Sequence, residues 1–487
     1  MNHCSTIEER ISMVSQMLAR PTHGLVTQLS RTSHVSRQTL YRWQAMGRQA
    51  LQEALAKQAL PVKATPSVHV LVLNLLLEAH ASYRDIQATL KSNHGIEISL
   101  GSIAAIVKEA GQRAQEWMKQ QQAQTARVLA LDEQYSSQRG KAYLNVIDVH
   151  SGQVWASLPP VPVDGESWTL VWWYLQEQGL RCAGTVSDGG RAIADALSQV
   201  QSEASHQRDV WHLFHVAAQV QGRLDRAVET ERERLSKIER RRQNEAQGKR
   251  VRGKRPKAQL GEQQALLAQM SYAAESVRYL CQEWHRLLEV VVPRCHPTAA
   301  LLTSTERQDE IITILDLLDE LAGVSTTAMK RQIQMLSKQL RLALPRTLLF
   351  ARRLDAIQIQ ASQALGVEAT ALLAWAWLRR AVLGPSSTEL LQSLPSDWYA
   401  DACPLLHAWD HAVRASSAVE NWHSIVRPHL AVHRTLSAGM LALLAVKHNH
   451  QVAPRGLHEG LSPLQRTGST SSDRHWLTAL GYSPNAA

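Results

Sequence analysis

The chain has 487 residues, 44% of them hydrophobic, enough for several domains with packed cores. Its formal net charge of +10 favours a polyanionic partner. Five scattered cysteines (Cys4, Cys182, Cys281, Cys295, Cys403) include no CxxC pair, which argues against a zinc knuckle or a disulfide framework and suits a reducing compartment.

The first residues show no charged segment followed by an apolar core, so no signal peptide is expected. The longest apolar stretches, 68–77 and 371–378, are too short to span a bilayer. The expectation is a soluble, intracellular protein without a membrane partner.

Residues 25–31 read as a short helix and 32–35 as a turn, with Ser36 standing where an N-cap belongs. In the helix that follows, Leu40 and Trp43 are three apart and face inward, leaving Arg37, Gln38, Tyr41 and Arg42 outside. Arg suits guanine or phosphate and Gln suits adenine, so the pair reads as a helix-turn-helix over residues 1–58 with Ser36, Arg37, Gln38, Tyr41 and Arg42 on DNA. A Pro-containing linker at 60–66 leads to a second helical unit, 66–124. There 83–90 forms a helix, Gly95 a turn, and Ser99 caps 100–110, with Ile86, Leu90, Ile98, Ile103 and Ile106 as the inward stripe. Its outer face is poor in Arg, so it either touches the DNA backbone or packs on protein.

After a Gln-rich stretch, 115–124, the pattern turns to strands. Strands are expected at 127–131, 141–149, 153–158, 180–186 and 207–213, with helices at 164–178 and 191–200. Asp132 and Asp188 each follow an apolar run. Glu133, by strand alternation, should point away from Asp132. Asp148 lies where turn chemistry favours Asp, and Asp195 should be an exposed helix residue.

Strand, strand, strand, helix, strand, helix, strand is the order of the ribonuclease H fold, in which the first and fourth strands are neighbours. The chain resembles transposases with an Asp-Asp-Glu ribonuclease H-like core, especially those interrupted by a helical insertion, as in the hAT and Mutator groups and their bacterial relatives. Asp209-Val210-Trp211-His212 matches the Cys-or-Asp, two residues, His fingerprint of those groups, and Ser417-Ala418-Val419-Glu420-Asn421 matches the surroundings of their third carboxylate. The first position here is Asp rather than Cys, so Asp209 and His212 are carried over only as site-proximal residues.

The resemblance implies a multidomain α+β protein: N-terminal helix-turn-helix units, a ribonuclease H-like α/β core over 125–216 and 403–455, an all-α insertion over 217–402, and a tail over 456–487. Helical patterns at 263–291, 305–321, 327–344 and 371–383 agree with such an insertion. Its basic run holds Arg240, Arg241 and Arg242 and then Lys249, Arg250, Arg252, Lys254 and Arg255, only partly offset by Glu231, Glu233, Glu239 and Glu245. It is read as a surface tracking DNA phosphates, with a solvated helix and basic loop as the alternative. Trp284, Trp375, Trp377 and Trp398 lie in the insertion, and core packing is the expected role of each, base stacking the other.

The implied catalytic and metal-binding residues are Asp132, Asp188 and Glu420, holding two Mg²⁺ or Mn²⁺ ions about 3.5–4 Å apart, with Asp132 bridging them. One ion would activate the attacking water or DNA 3′-hydroxyl, the other stabilise the leaving oxygen. Asp401, Asp410, Glu306, Asp309 and Glu310 remain alternatives to Glu420. Arg427 and Arg434 could meet phosphates, and the crowded histidines His411, His423, His429, His433, His448 and His450 read as phosphate contacts rather than a zinc site. The resemblance further implies a DNA transposase in the bacterial cytoplasm, associated with the nucleoid, acting on transposon ends and target DNA as a homodimer or larger homo-oligomer. A non-cutting DNA-binding regulator and a nuclease without joining activity are the competing functions.

Overall fold

The computed structural model describes residues 6–19, 24–57, 67–122, 125–200, 205–251, 260–296, 299–383, 396–455, 458–468 and 475–482. The linker at 60–66, the end of the Gln-rich stretch at 123–124, basic residues 252–255 and tail residues 469–474 and 483–487 lie outside them. The fold is mixed α+β, mostly helical, with one mixed six-stranded sheet. It divides into two compact units, meeting in the chain between residues 68 and 69.

The first unit holds α1 (Ile7–Ala19), α2 (Leu25–Ser33) and α3 (Arg37–Lys57). Leu40 is buried with Met13 and Met17, and Leu25, Leu29, Val35 and Trp43 pack against them. Helix α2 runs two residues beyond the sequence reading, and the turn is made by His34 in the left-handed region, φ 57°. Ser36 Oγ accepts from Thr39 N at 3.1 Å, an N-cap hydrogen bond. Arg37, Gln38, Tyr41 and Arg42 are exposed.

The second unit opens with α4 (Val68–Leu77), α5 (Tyr83–His94) and α6 (Leu100–Lys119). Ser82 and Asp85 form a capping box at the start of α5, Gly95 ends it at φ 65°, and Ser99 caps α6. Helix α6 takes in the first residues of the Gln-rich stretch, and its Ile103, Ile106, Val107, Ala110 and Ala114 are buried.

Strands β1 (Arg127–Tyr135), β2 (Lys141–Asp148), β3 (Val154–Ser157), β4 (Val161–Pro162), β5 (Cys182–Ser187) and β6 (His206–Arg208) form the sheet. Its order is β3-β2-β1-β5-β6, with β4 beside β2; β1, β5 and β6 are parallel and the rest antiparallel. Helices α7 (Gly165–Glu177) and α8 (Arg191–Val200) pack Trp168, Trp172, Ile193 and Leu197 on one face, against Leu129, Leu131, Leu144 and Val146. Asp148 Oδ1 accepts from His150 N at 2.8 Å and Ser151 N at 3.2 Å, the turn role expected, and Asp195 is exposed.

The short strand β4 was not expected, the bounds of β2, β3 and β5 shift by one or two residues, and two strands differ more. Strand β1 continues past Asp132 to Tyr135, because its antiparallel partner β2 is longer than its parallel partner β5. The strand expected at 207–213 stops at Arg208, and α9 (Val210–Ala246) begins after Asp209. Asp209 is an N-cap, and buried Val210 and Leu213 have helical, not strand, spacing.

Helix α9 runs through residue 217 unbroken into a helical layer built by α10 (Leu260–Leu287), α11 (Ser304–Val324), α12 (Thr327–Thr347), α13 (Leu349–Leu365), α14 (Val367–Leu383) and α15 (Ser396–Asp410). One apolar core runs through them, from Val210 to Trp409. Helix α13 was not anticipated, nor was the small hairpin of β7 (Pro293–His296) and β8 (Ala299–Leu301). The chain then returns to the sheet with α16 (Ser417–Val432) and α17 (Ala438–His450). Asn449 locks α17 to β3, accepting from Val154 N at 2.8 Å and donating to Val154 O at 3.0 Å. Among the described residues, no helix is long and apolar enough to cross a membrane.

Candidate functional site

Parallel pairing of β1 with β5 ends at Leu131 and Ser187, so Asp132 and Asp188 stand side by side one step further on. Strand alternation sends their neighbours apart. Asp132 faces α16, whereas Glu133 faces α7, where its Oε1 accepts from Trp168 Nε1 at 2.9 Å. Asp188 Oδ1 accepts from Gly190 N at 2.8 Å, which orients the carboxylate at the strand end.

Glu420 comes from the first turn of α16, and Asp209 determines where that turn lies. Asp209 Oδ1 caps α9 through His212 N at 3.2 Å, while Oδ2 accepts from Ser416 N at 3.0 Å and from the Ser416 hydroxyl. Val210 N donates to Arg414 O at 2.9 Å in the same place. One buried carboxylate therefore ties the end of β6 to the start of the Glu420 helix.

These elements enclose a cleft of about 530 Å³. Asp132, Glu133, Asp188, Asp209 and Glu420 line it, with Trp211, His212 and His423 among the other walls. The alternatives Asp401, Asp410, Glu306, Asp309 and Glu310 do not line it. Asp410 accepts from Trp377 Nε1 at 3.2 Å, Glu306 belongs to a capping box, and Glu310 pairs with Arg286 at 3.4 Å.

Crowded carboxylates raise each other's affinity for protons. Burial chiefly, with Asp188, Glu420 and Asp209 adding, pushes the Asp132 carboxyl up to about 7. Burial chiefly, with Asp188 adding, also raises Glu133, against the Trp168 hydrogen bond. The cleft thus gathers carboxylates, and the Arg208 charge, coupled to Asp188 and Asp209, offsets part of them. Arg427 Nη2 does reach Glu420 Oε2 at 3.2 Å, but both are exposed and such a pair is weak.

His423, expected as a phosphate contact, lies instead beside the carboxylates of the cleft. Its Nδ1 is 3.9 Å from both Asp132 Oδ2 and Glu420 Oε2, and ligand atoms of the three residues lie within 4.8 Å of one another. The signal was present as Glu420-Asn421-Trp422-His423, an acid and a histidine three apart on one helix face. The ring's protonation follows from its neighbours. Trp422 Nε1, a donor only, lies 3.0 Å from Asn145 Oδ1, and Ser157 Oγ donates to the same oxygen at 2.8 Å. Asn145 must then turn its NH₂ toward His423 Nε2, 3.2 Å away, which makes Nε2 the acceptor and leaves the hydrogen on Nδ1. Burial holds His423 down at about 4, so the ring is neutral. It presents an N–H to the two carboxylates, and a cation there would meet oxygen ligands.

Compared with known proteins, the chain matches no protein-family model and no curated protein sequence.

The remaining candidates are spread out. Arg434 is exposed beyond α16 and does not line the cleft. Arg240 and Arg242 are exposed on α9, and Arg241 pairs with Glu245 at 3.0 Å. At 1.5 Å per residue, the helix carries Arg240 about 40 Å from His212. Of the other histidines, His429 and His450 are buried, and the His448 ring bonds Gly152 O at 2.9 Å, so packing replaces the phosphate contact expected of them. Trp284 and Trp377 are buried in the helical core and Trp398 packs against it. Trp375 is 43% exposed under the Arg379 guanidinium. Trp211, with Tyr135, lines the cleft; it is 56% exposed and stacked on His215 at 5.7 Å.

Proposed function

We propose that this chain is a DNA transposase of the Asp-Asp-Glu type, with a ribonuclease H-like core and an N-terminal helix-turn-helix that reads element ends. The observation that carries the reading is the convergence of Asp132, Asp188 and Glu420 on one cleft, from β1, the end of β5 and the first turn of α16. The strand order β3-β2-β1-β5-β6 supports the core assignment. Exposed Arg37, Gln38, Tyr41 and Arg42 beyond the Ser36 cap support the DNA-reading one.

Asp132 and Glu420, whose oxygens lie within 4.8 Å of one another, with Asp188 at the neighbouring strand end, would offer oxygen donors to a hard divalent cation, Mg²⁺ or Mn²⁺. When bound, such ions supply Lewis acidity and a hydroxide-like nucleophile for phosphodiester cleavage. The chain's own residues do the positioning. Asp209 and Ser416 place Glu420, the His423 N–H faces Asp132 and Glu420, and Glu133 is restrained by Trp168. Trp211, at the mouth, offers a face on which a base can stack. Two element ends must be joined, which favours a homodimer or larger assembly.

The test is incubation of purified protein with Mg²⁺ or Mn²⁺, labelled element-end DNA and a plasmid target, beside Asp132→Ala, Asp188→Ala and Glu420→Ala. Joined products from the wild type alone are expected. Cleavage without joining would reassign the chain as a nuclease, and binding without cleavage as a regulator. Full activity of Glu420→Ala would remove the third ligand.

A further inference from the structure

A second cavity, of about 630 Å³, adjoins the carboxylate cleft between the end of β6, the first turns of α9 and the last turns of α12. The two share His212 as a wall. Their electrostatics are opposite. Among the described residues no carboxylate lines the second cavity, whose polar groups are His206, Arg208, His212, Gln339 and Arg346.

The donors in it are unevenly satisfied. Both ring nitrogens of His206 are occupied, Nδ1 by Thr185 Oγ1 at 2.8 Å and Nε2 by Ser187 Oγ at 3.2 Å. Arg208 differs: its Nε is buried and has no hydrogen-bond partner. The guanidinium lies against the bare α-carbon of Gly189, where a side chain would collide with it. Burial lowers the Arg208 pKa below its ordinary value, Asp188 and Asp209 oppose that, and Arg346 adds to it. Arg346 is exposed and forms no salt bridge among the described residues. Two guanidiniums therefore line one cavity, and the Nε–H of one of them has no partner, a donor surplus that suits an oxyanion.

We propose that this cavity is a phosphate subsite, in which Arg208 and Arg346 hold a backbone phosphate of the DNA strand whose neighbouring phosphate enters the carboxylate cleft. A strand is favoured over a free anion because the two cavities are contiguous through His212, so successive phosphates of one chain can occupy them. The choice of DNA rests on the transposase reading; the affinity for phosphate does not.

The test uses full-length protein with Ca²⁺, a labelled mixed-sequence DNA duplex read by fluorescence anisotropy over a range of salt, and inorganic phosphate as competitor. Arg346→Gln and Arg208→Gln should each weaken duplex binding about 5–10-fold and lower the slope of log affinity against log salt by about one. Arg346→Lys should recover most of the loss. Because Arg346 is exposed, its variants should melt as the wild type does and separate binding from folding. Unchanged affinity and slope in both glutamine variants overturns the subsite. Where that happens, inorganic phosphate titrated directly into each protein separates the sources: weaker phosphate binding by the variants leaves a free-anion site and overturns the strand. A parallel Mg²⁺ cleavage assay keeps the two readings apart. Wild type that cleaves while both variants bind normally removes the subsite alone. Wild type that never cleaves while both variants lose binding removes the transposase reading alone.

Discussion

Asp209 Oδ2 accepts a hydrogen bond from Ser416 N at 3.0 Å, joining two residues 207 apart in the chain. Both are buried, so the bond has no water to replace it. Breaking it leaves unsatisfied buried groups, at a cost of about 1–3 kcal/mol. Ser416 immediately precedes the helix that carries Glu420, so the loss should be felt at the cleft. Asp209→Asn and Ser416→Ala are each expected to reduce divalent-cation-dependent cleavage about tenfold or more, a barrier change of about 1.4 kcal/mol, while DNA binding stays within about twofold. In a double-mutant cycle the two should be strongly non-additive, and additive losses would show that the bond does not couple them.

The Asp132 carboxyl, raised from 3.8 to about 7, makes a signed prediction. An acid whose folded pKa is raised stabilises the fold fully below the unfolded value, and that contribution is lost as pH rises through the folded one. The loss here falls between about pH 4 and 7, with a ceiling of roughly 4 kcal/mol. Buried histidines such as His206 and His423, held down at about 4, act in the opposite direction, so the comparison must be with Asp132→Asn. Without divalent cation, Asp132→Asn should melt higher than wild type at pH 8, and by pH 5 the stability gap should shrink to roughly 40% of its pH 8 size. Mg²⁺ should reverse the order at pH 8, because a ligand carboxylate must be ionised. Parallel melting curves for the two proteins across that range would refute the buried-charge account.

The His423 tautomer is open to direct observation. Nitrogen-15 shifts of the imidazole should report a neutral ring with hydrogen on Nδ1 from pH 8 down to pH 5. Asn145→Leu removes the group that holds Nε2 and leaves Trp422 Nε1 only its longer bond to Ser157 Oγ at 3.3 Å, so about 1–3 kcal/mol of stability should go with it. His423→Gln should weaken Mg²⁺ binding about tenfold, the usual scale for groups that orient ligands. A wild-type ring with hydrogen on Nε2 would make His423 a direct metal ligand instead.

How much of this was legible depended on the range of the interaction. Asp132 and Asp188 were readable because each ends an apolar run and a parallel strand pair brings run ends together. The Ser36 cap and its exposed residues were readable because capping is local. Asp209 was read inside a strand because its partner Ser416 is distant, and only that partner shows its role as a clamp. His423 was one of a crowd, and its difference from His429 lies in Asn145, whose amide is oriented from β3 and α16. The Arg208 cavity had no sequence signal, since α12 supplies half of it from more than a hundred residues away.

The last relationship concerns Gly111 of α6 and Gly439 of α17. A Cβ built on Gly111 would lie 2.9 Å from the Gly439 α-carbon and 3.0 Å from its carbonyl carbon, closer than side-chain atoms approach backbone. The helices cross at backbone contact, and neither chain has room to give. Gly111→Ala should therefore destabilise, although alanine is the better helix former by about 0.8–1 kcal/mol at an exposed site. Overpacking costs of about 1–3 kcal/mol must first exceed that gain, and Gly111→Val, larger and β-branched, should cost more. Because Asn449 fixes α17 to β3, a shift of α17 should also loosen the sheet edge, seen as faster amide exchange at Val154. Urea melts of Gly111→Ala, Gly439→Ala and the pair check the contact. A stabilised Gly111→Ala would mean that the two helices are free to separate.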